Sequence, residues 1–94
     1  MPQVVLTEKA AGDLNRLYEF LADKNPTAAI NAIRAIKAAL NELAGFPAQG
    51  RYFDDVYREW PIPFGSRGYL VLYRIEHDSV IIVSVRHQLE ERYS

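Results

Sequence analysis

The sequence predicts an α+β fold, in which a helical hairpin packs on one face of a mainly antiparallel four-stranded sheet. In the first half of the chain, apolar residues recur every three or four positions, which is the spacing of amphipathic helices. In the second half they alternate with polar residues or form continuous apolar runs, which is typical of strands. The predicted order of elements is β-α-α-β-β-β.

The first half begins with a short apolar strand, Val4-Val5-Leu6. Thr7 follows it and supplies a hydroxyl group that can cap a helix over about residues 8–23. The apolar residues of this helix form one stripe, and Asp13 and Arg16 are among the charged residues predicted to lie on its polar side.

The second helix begins at Asn25-Pro26, because asparagine is a good cap and proline suits the first position of a helix. Gly45 is predicted to be its C-terminal cap. Two helices joined by about two residues fold back on each other as an antiparallel hairpin.

The second half contains three predicted strands. Residues 58–62 alternate weakly, and Pro61 and Pro63 cannot donate ladder hydrogen bonds, which predicts an edge or interrupted strand. Residues 69–75 and 80–87 flank a turn and predict a hairpin. On the last strand we assign Ile81, Val83 and Val85 to the core, which puts Arg86 on the uncovered face of the sheet.

Composition predicts one domain over residues 1–94, in a cytoplasmic, soluble protein. The chain has no cysteine, which excludes disulfides and thiolate chemistry. The start lacks the features of a signal peptide, and no stretch approaches the roughly 18 apolar residues of a membrane span. A net charge of −1 argues against non-specific binding to nucleic acid.

Four segments of the chain carry a family resemblance by their joint order and spacing. They are TEKAAGDLNRLYEFLADKNPTAAINAIRAI (7–36), LAGFPAQGR (43–51), REWPIPFGSRGYLVLYRI (58–75) and VIIVSVRHQLE (80–90). Over residues 4–91 the chain resembles the RelE/ParE toxins of bacterial toxin–antitoxin systems. The resemblance implies the same α+β fold and a toxin of the plasmid stabilisation type.

The family has two branches, and this sequence resembles the ParE branch more closely. The RelE branch cleaves messenger RNA on the ribosome, and this needs cations at the scissile phosphate and a group that moves protons. When the chain is registered on Gly68-Tyr69 and Ser84-Val85, other residues stand where that branch has its basic groups. They are Glu59, Pro61, Leu70 and Gln88.

The ParE branch inhibits DNA gyrase without cleaving RNA, so the resemblance implies a toxin that acts by binding and has no catalytic residues, cofactor or metal. Its implied partners are DNA gyrase and a cognate ParD-like antitoxin with a ribbon-helix-helix DNA-binding part. Operator DNA would be contacted only through the antitoxin. Two alternatives stay open: a ribosome-dependent endonuclease of RelE type, and a degenerate member that binds its antitoxin but is not toxic.

Candidate target-binding residues lie at the end of the last strand, in the C-terminal segment, and at the single tryptophan. They are Arg86, His87, Gln88, Arg92, Tyr93 and Trp60. Trp60 can equally cap the small core, and His87 can be a hydrogen-bonded histidine that ties the C-terminal segment to the sheet. Asp54 and Asp55 are expected in a solvated loop.

Candidate antitoxin-binding residues come from the apolar stripes of the two helices. We expect these helices and a thin sheet to leave an apolar groove, because one short chain has little material to cover it. The candidates are Leu14, Leu17, Leu21, Ile33, Ile36 and Leu40.

Overall fold

The computed structural model describes residues 3–65 and 67–89 of the chain. Within these ranges, two α-helices and four strands follow one another in the predicted order, and one additional short strand makes five strands in all. The elements are β1 (Gln3–Leu6), α1 (Glu8–Ala22), α2 (Pro26–Gly45), a 3-10 turn (Pro47–Gln49), β2 (Arg51–Tyr52), β3 (Arg58–Phe64), β4 (Arg67–Glu76) and β5 (Ser79–His87). The α+β class and the helical hairpin on a mainly antiparallel sheet are confirmed.

The predicted number of strands, four, is wrong, because β2 adds a fifth strand to the described sheet. It pairs antiparallel with β3 through Arg51 opposite Glu59 and Tyr52 opposite Arg58. Two residues are too few to produce a recognisable alternation, so only the pairing with β3 reveals this strand.

The strands lie in the order β1-β5-β4-β3-β2. β3, β4 and β5 form an antiparallel meander, whereas β1 pairs parallel with β5. β2 covers only the first two residues of β3, so the proline-containing half of β3 lies at the edge of the described sheet, as predicted. Proline is tolerated there because an edge strand does not need every N–H group.

The predicted helix starts are confirmed by hydrogen bonds. The Thr7 hydroxyl accepts a bond from the Ala10 N–H at 3.1 Å, and the Asn25 side chain accepts one from the Ala28 N–H at 3.1 Å. Each cap satisfies one of the N–H groups that a helix leaves without an internal partner. At the other end α2 continues through Gly45 and Phe46 is the cap, one residue later than predicted.

The core lies between the two helices and one face of the sheet. On β5, Val80, Ile82 and Val85 are fully buried there, whereas Ile81 and Val83 are half-buried. The prediction is therefore confirmed for Val85 and wrong for the other two residues. The reason is a β-bulge: Ile82 pairs with Tyr73 and Ser84 with Leu72, so an extra residue interrupts the alternation on β5.

Asp13 is buried at the contact between α1 and β5, not on the polar side of the helix as predicted. Its Oδ2 accepts hydrogen bonds from the Ser84 hydroxyl and the Val85 N–H, each at 3.0 Å. Lys9 Nζ lies 2.9 Å from the same oxygen and compensates its charge. The carboxylate thus attaches the helix to the strand next to the bulge. We call Asp13, Lys9, Ser84 and the Val85 N–H the Asp13 cluster.

Tyr73 attaches the connection after α2 to the sheet. Its buried hydroxyl donates to the Pro47 carbonyl at 2.5 Å and accepts from the Gly50 N–H at 2.9 Å. Burial raises the pKa of Tyr73 above 10.0, and this outweighs the lowering by the Gly50 N–H and by the positive charge of Arg58. Burial also raises the pKa of Tyr69.

We expect these two tyrosines to make the protein less stable in alkali. Because the folded-state pKa of Tyr73 is raised, its contribution is fully present below the unfolded pKa of 10.0 and is lost as pH rises through the folded value. Unfolding free energies measured from about pH 8 to about pH 12 should fall above pH 10. Tyr73→Phe should cost about 1–2 kcal/mol at pH 8, because the Gly50 N–H loses its partner, and should flatten the alkaline decline. An unchanged pH profile in this variant would contradict the assignment.

Among the described residues, no helix is long and apolar enough to cross a membrane.

Candidate functional site

The sheet face turned away from the helices is the first candidate surface. Pro61, Leu70 and Arg86 lie in one row across β3, β4 and β5, because Pro61 pairs with Leu70 and Leu70 with Arg86. The next row begins with Glu59 and Leu72, whereas Ser84, which follows Leu72 in this row next to the bulge, directs its side chain to Asp13 on α1. Three of the four residues that replace the nuclease branch's basic groups, Glu59, Pro61 and Leu70, are thereby brought together on this face.

Glu59 gives this face a buried negative charge. The residue is 6% exposed, and its Oε1 accepts a hydrogen bond of 2.7 Å from Arg51, whose side chain is 79% exposed. A buried carboxylate needs such a partner, because an isolated charge is costly to remove from water. Arg51 therefore neutralises Glu59, and a phosphate approaching this part of the sheet would meet a carboxylate next to a proline and a leucine.

Several arginines of the second half make directed contacts within the chain. Arg74 Nε lies 2.6 Å from Glu76 Oε2. Arg58 donates to the Ala48 carbonyl at 2.9 Å and to the Gly50 carbonyl at 2.7 Å, and its guanidinium lies 4.0 Å from the centre of the Tyr52 ring. Arginine suits such contacts because its planar group offers donors in several directions. Internal pairing accounts for these two arginines and for Arg51.

Arg86 and Trp60 lie on opposite faces of the sheet. Arg86 is half-buried at the end of β5, and one of its terminal nitrogens lies 3.3 Å from the His87 carbonyl. Trp60 is also half-buried, but it packs against the hydrophobic core. Its contacts agree with the core interpretation of this residue, while its partly exposed surface lies beside Arg51 and Glu59.

His87 and Gln88 connect the end of the sheet to the C-terminal segment. His87 Nδ1 accepts a hydrogen bond of 3.1 Å from the Leu89 N–H, and the imidazole meets the Tyr69 ring edge-on at 5.5 Å between centres. The Gln88 N–H donates to the Gly68 carbonyl at 2.9 Å. These contacts fit a histidine that ties the chain end to the sheet. The other two candidates, Arg92 and Tyr93, lie outside the described residues.

Four of the six candidate antitoxin-binding residues belong to the core of this chain. Leu14, Leu17, Ile36 and Leu40 are at most 7% exposed and offer almost no surface to another protein in this conformation. Leu21 and Ile33 are half-buried and reach the surface. The spacing of an apolar stripe is the same whether the helix binds another protein or packs on the chain's own sheet, and these four residues pack on the sheet.

The sequence predicts an apolar groove left by the helices and the sheet, and the structure has an apolar groove beside the second half of α1. It has a cavity volume of about 780 Å³. Its walls come from the second half of α1, the β3–β4 connection and the end of β5. The described lining residues are Arg16, Leu17, Phe20, Leu21, Phe64, Gly65, Arg67, Tyr69, His87 and Leu89. Sequence reasoning found Leu17, Leu21 and His87 but missed the rest, because they come together only through the fold.

A second exposed apolar region follows α2. Phe46, Tyr52, Phe53 and Val56 are each more than half exposed. Nearby, Asp54 Oδ1 accepts hydrogen bonds from the Val56 and Tyr57 N–H groups at 2.8 and 2.7 Å. Both aspartates of this loop are exposed, which agrees with the predicted solvated loop. In the part of the chain that the structure describes, no three His, Cys, Asp or Glu residues form a group that could hold a metal ion.

Comparison with known proteins finds similarity over nearly the whole chain. Residues 4–92 match the family model described as the ParE toxin of the type II toxin–antitoxin system parDE. Toxin RelE3 of Caulobacter vibrioides is 37% identical over 92 residues, which cover 98% of this chain and all of that protein. Toxin RelE1 of the same organism is 36% identical over 89 residues, covering 95% and 96%. A solved structure titled as the chromosomal ParDE system of P. aeruginosa superposes with a TM-score of 0.76 at 20% identity, covering 93% of this chain and 96% of that one.

Proposed function

This chain belongs to the ParE toxin family of type II toxin–antitoxin systems, and on that premise we propose that it stops growth by binding DNA gyrase, without cleaving RNA. A cognate antitoxin neutralises it in this proposal. The antitoxin is ParD-like and binds operator DNA through a ribbon-helix-helix part. Contact of the toxin with DNA then occurs only through the antitoxin.

The observation that carries the proposal is the composition of the open sheet face. Cleavage of a phosphodiester requires positive charge close to the phosphate, where negative charge develops in the transition state. At the positions where the resemblance puts basic groups of the nuclease branch, this face has Glu59, Pro61 and Leu70. Glu59 is already engaged by Arg51 at 2.7 Å, so this pair offers little net positive charge to a phosphate. Binding without catalysis is the function that such a surface supports best.

Two assays run on the same purified toxin test this proposal. We expect the toxin to inhibit supercoiling by DNA gyrase in proportion to its concentration, and to leave messenger RNA intact on translating ribosomes. The complex with antitoxin serves as the control and should be inactive. Codon-positioned cuts with normal supercoiling would instead support an endonuclease of the RelE branch. That second candidate is favoured by the names of the relatives RelE1 and RelE3. Inactivity in both assays would indicate a non-toxic member.

The proposed gyrase-contacting residues are those at the end of β5, Arg86, His87 and Gln88, together with Arg92 and Tyr93. Arg86→Ala is expected to weaken gyrase inhibition about tenfold, as removal of a central interface arginine often does. Arg74→Ala is the matched control, because Arg74 lies on β4 on the same face and pairs with Glu76. Supercoiling titrations and melting temperatures of both variants give the answer. Equal loss of inhibition in both variants, or none in Arg86→Ala, would contradict this assignment.

A further inference from the structure

The connection between β2 and β3 carries several apolar side chains at its surface. Tyr52, Phe53 and Val56 are 67%, 53% and 59% exposed. Single exposed apolar residues are common on any protein, whereas several grouped together mark a binding surface. Aromatic residues in particular are enriched where proteins bind one another. We call residues 52–57 the Phe53 loop.

Hydrogen bonds within the Phe53 loop fix its shape. The Phe53 N–H donates to the Tyr57 carbonyl at 2.9 Å. On the other side of the loop, Asp54 Oδ1 accepts bonds from the Val56 and Tyr57 N–H groups at 2.8 and 2.7 Å. A loop that is already ordered in this way loses little conformational entropy when it binds, so its aromatic side chains can act as rigid anchors.

The tip of the loop combines these aromatic rings with negative charge. Asp54 and Asp55 are exposed, and they line one cleft together with Tyr52 and Phe53. Arg58 lies over the Tyr52 ring at 4.0 Å, which shows that this ring accepts a guanidinium group on one face. A further cation in the cleft would be attracted both by the rings and by the carboxylates. The cleft therefore favours a Lys or Arg side chain of another protein.

The Phe53 loop and the apolar groove described above lie at opposite ends of β3. The loop comes directly before Arg58, whereas Phe64 lines the groove, so the length of β3 separates the two surfaces by about 20 Å. Their charges are also opposite, because Arg16 and Arg67 line the groove. A segment whose charge suits one surface is repelled by the other, so the two surfaces suit different partners.

We propose that the Phe53 loop contacts the target protein and binds a basic surface of DNA gyrase. A Lys or Arg side chain of the gyrase lies between the aromatic rings and the aspartates of the loop. A protein that acts on DNA holds the phosphate backbone with Lys and Arg, so gyrase has surfaces of the required charge. The inference rests on the proposed function for the identity of the partner, and it adds a second contact to the one at the end of β5.

Charge reversal tests the acidic part of this contact. Asp55→Lys should raise the toxin concentration that half-inhibits supercoiling about tenfold, because like charges would then face each other. Glu19→Lys makes the same change of charge on the exposed surface of α1, outside the loop, and should stay within about twofold of wild type. Unchanged inhibition by Asp55→Lys, or equal losses in the two variants, would overturn the proposal.

The salt dependence of binding to immobilised gyrase shows whether Asp55 acts through its charge. Affinity of wild type should fall when the salt concentration is raised from about 50 to about 200 mM, because salt screens exposed charges. Asp55→Asn should bind more weakly at low salt and lose less affinity on the same change, since a charge at the rim acts mainly on association and salt dependence. An identical salt dependence in wild type and Asp55→Asn would contradict the electrostatic contact.

Removal of one ring tests the aromatic part. Phe53→Ala is expected to weaken gyrase binding and inhibition about tenfold through loss of an aromatic anchor. Phe20→Ala is the matched control, because Phe20 is an exposed phenylalanine on α1, and its inhibition should equal that of wild type. Melting temperatures of both variants are measured alongside. If Phe53→Ala does not fold, Val56→Ala gives the same test with an expected loss of about threefold. A folded variant of the loop that inhibits like wild type would overturn the proposal.

Two further measurements on the same variants identify the occupant. Complexes with the antitoxin encoded beside the gene should form equally well with wild type, Asp55→Lys and Phe53→Ala. Weaker complexes with gyrase inhibition intact would assign the loop to the antitoxin and overturn the proposal. Sedimentation of the toxin alone at increasing concentration tests a second copy of the chain, and self-association that Asp55→Lys abolishes would also overturn it. Wild type that does not inhibit gyrase would contradict the proposed function and this contact together, whereas inhibition by wild type and by both loop variants alike would remove the contact alone.

Discussion

Asp13→Ala is expected to lower the free energy of unfolding by about 3 kcal/mol, because it removes the acceptor at the centre of the Asp13 cluster. The Ser84 hydroxyl and the Val85 N–H would each lose a bond of 3.0 Å in a buried environment. Removing one member of a buried charged pair typically costs 3–5 kcal/mol. We expect the lower end, because the Lys9 side chain is 39% exposed and can recover contact with water.

Chemical unfolding of Asp13→Ala, Asp13→Asn and Glu19→Ala measures this effect. Asparagine keeps a carbonyl acceptor for Val85 but loses the charge, so Asp13→Asn should lie between wild type and Asp13→Ala. Glu19 is exposed on the same helix, and its replacement should change stability by no more than about 0.5 kcal/mol. An effect of Asp13→Ala as small as that of Glu19→Ala would mean that the cluster contributes nothing to stability.

The second large effect is expected at Gly68, where two strands approach too closely for any side chain. A Cβ atom added there would lie 2.2 Å from the Ile62 carbonyl oxygen. This oxygen belongs to the backbone of β3, which is paired with β4, so it cannot move aside as the end of a flexible side chain can. Gly68→Ala should therefore destabilise the protein by about 3 kcal/mol or more.

Gly12→Ala is the matched control for this prediction, with the opposite sign. Gly12 lies within α1, and an added Cβ would meet nothing within 4 Å. Alanine is favoured over glycine inside a helix, so this variant should be more stable by about 0.5–1 kcal/mol. Melting temperatures and unfolding free energies of the two variants test both signs. A neutral Gly68→Ala would contradict the close approach of β3 and β4.

Gly68 also connects stability to the candidate surfaces. Its carbonyl accepts the bond from the Gln88 N–H, and its neighbours Arg67 and Tyr69 line the groove. A distortion at this position would move the end of β5 and one wall of the groove together.

The sequence by itself determined the local structure of this protein. Thr7 and Asn25 cap the two helices in the structure as their residue types predict, because a cap depends on groups only three residues away. The long strands were likewise predictable from their apolar runs, and the resemblance to the RelE/ParE toxins was carried by motifs in their order. The residues that argue against a nuclease, such as Glu59 and Leu70, were also identified without coordinates.

Tertiary structure alone decided which apolar residues are covered and which remain available. The bulge on β5 moved the core face to Val80 and Ile82, because one extra residue reverses the alternation that a strand pattern assumes. The apolar stripe of a helix does not tell whether it meets the chain's own sheet or another protein, and Leu14 and Ile36 proved to be core. The helical pattern predicts that Asp13 is exposed, but in the structure β5 places hydrogen-bond donors beside its carboxylate. Burial depends on contacts between residues far apart in the chain, so a groove formed from α1, the β3–β4 connection and β5 becomes visible only when these elements are packed together.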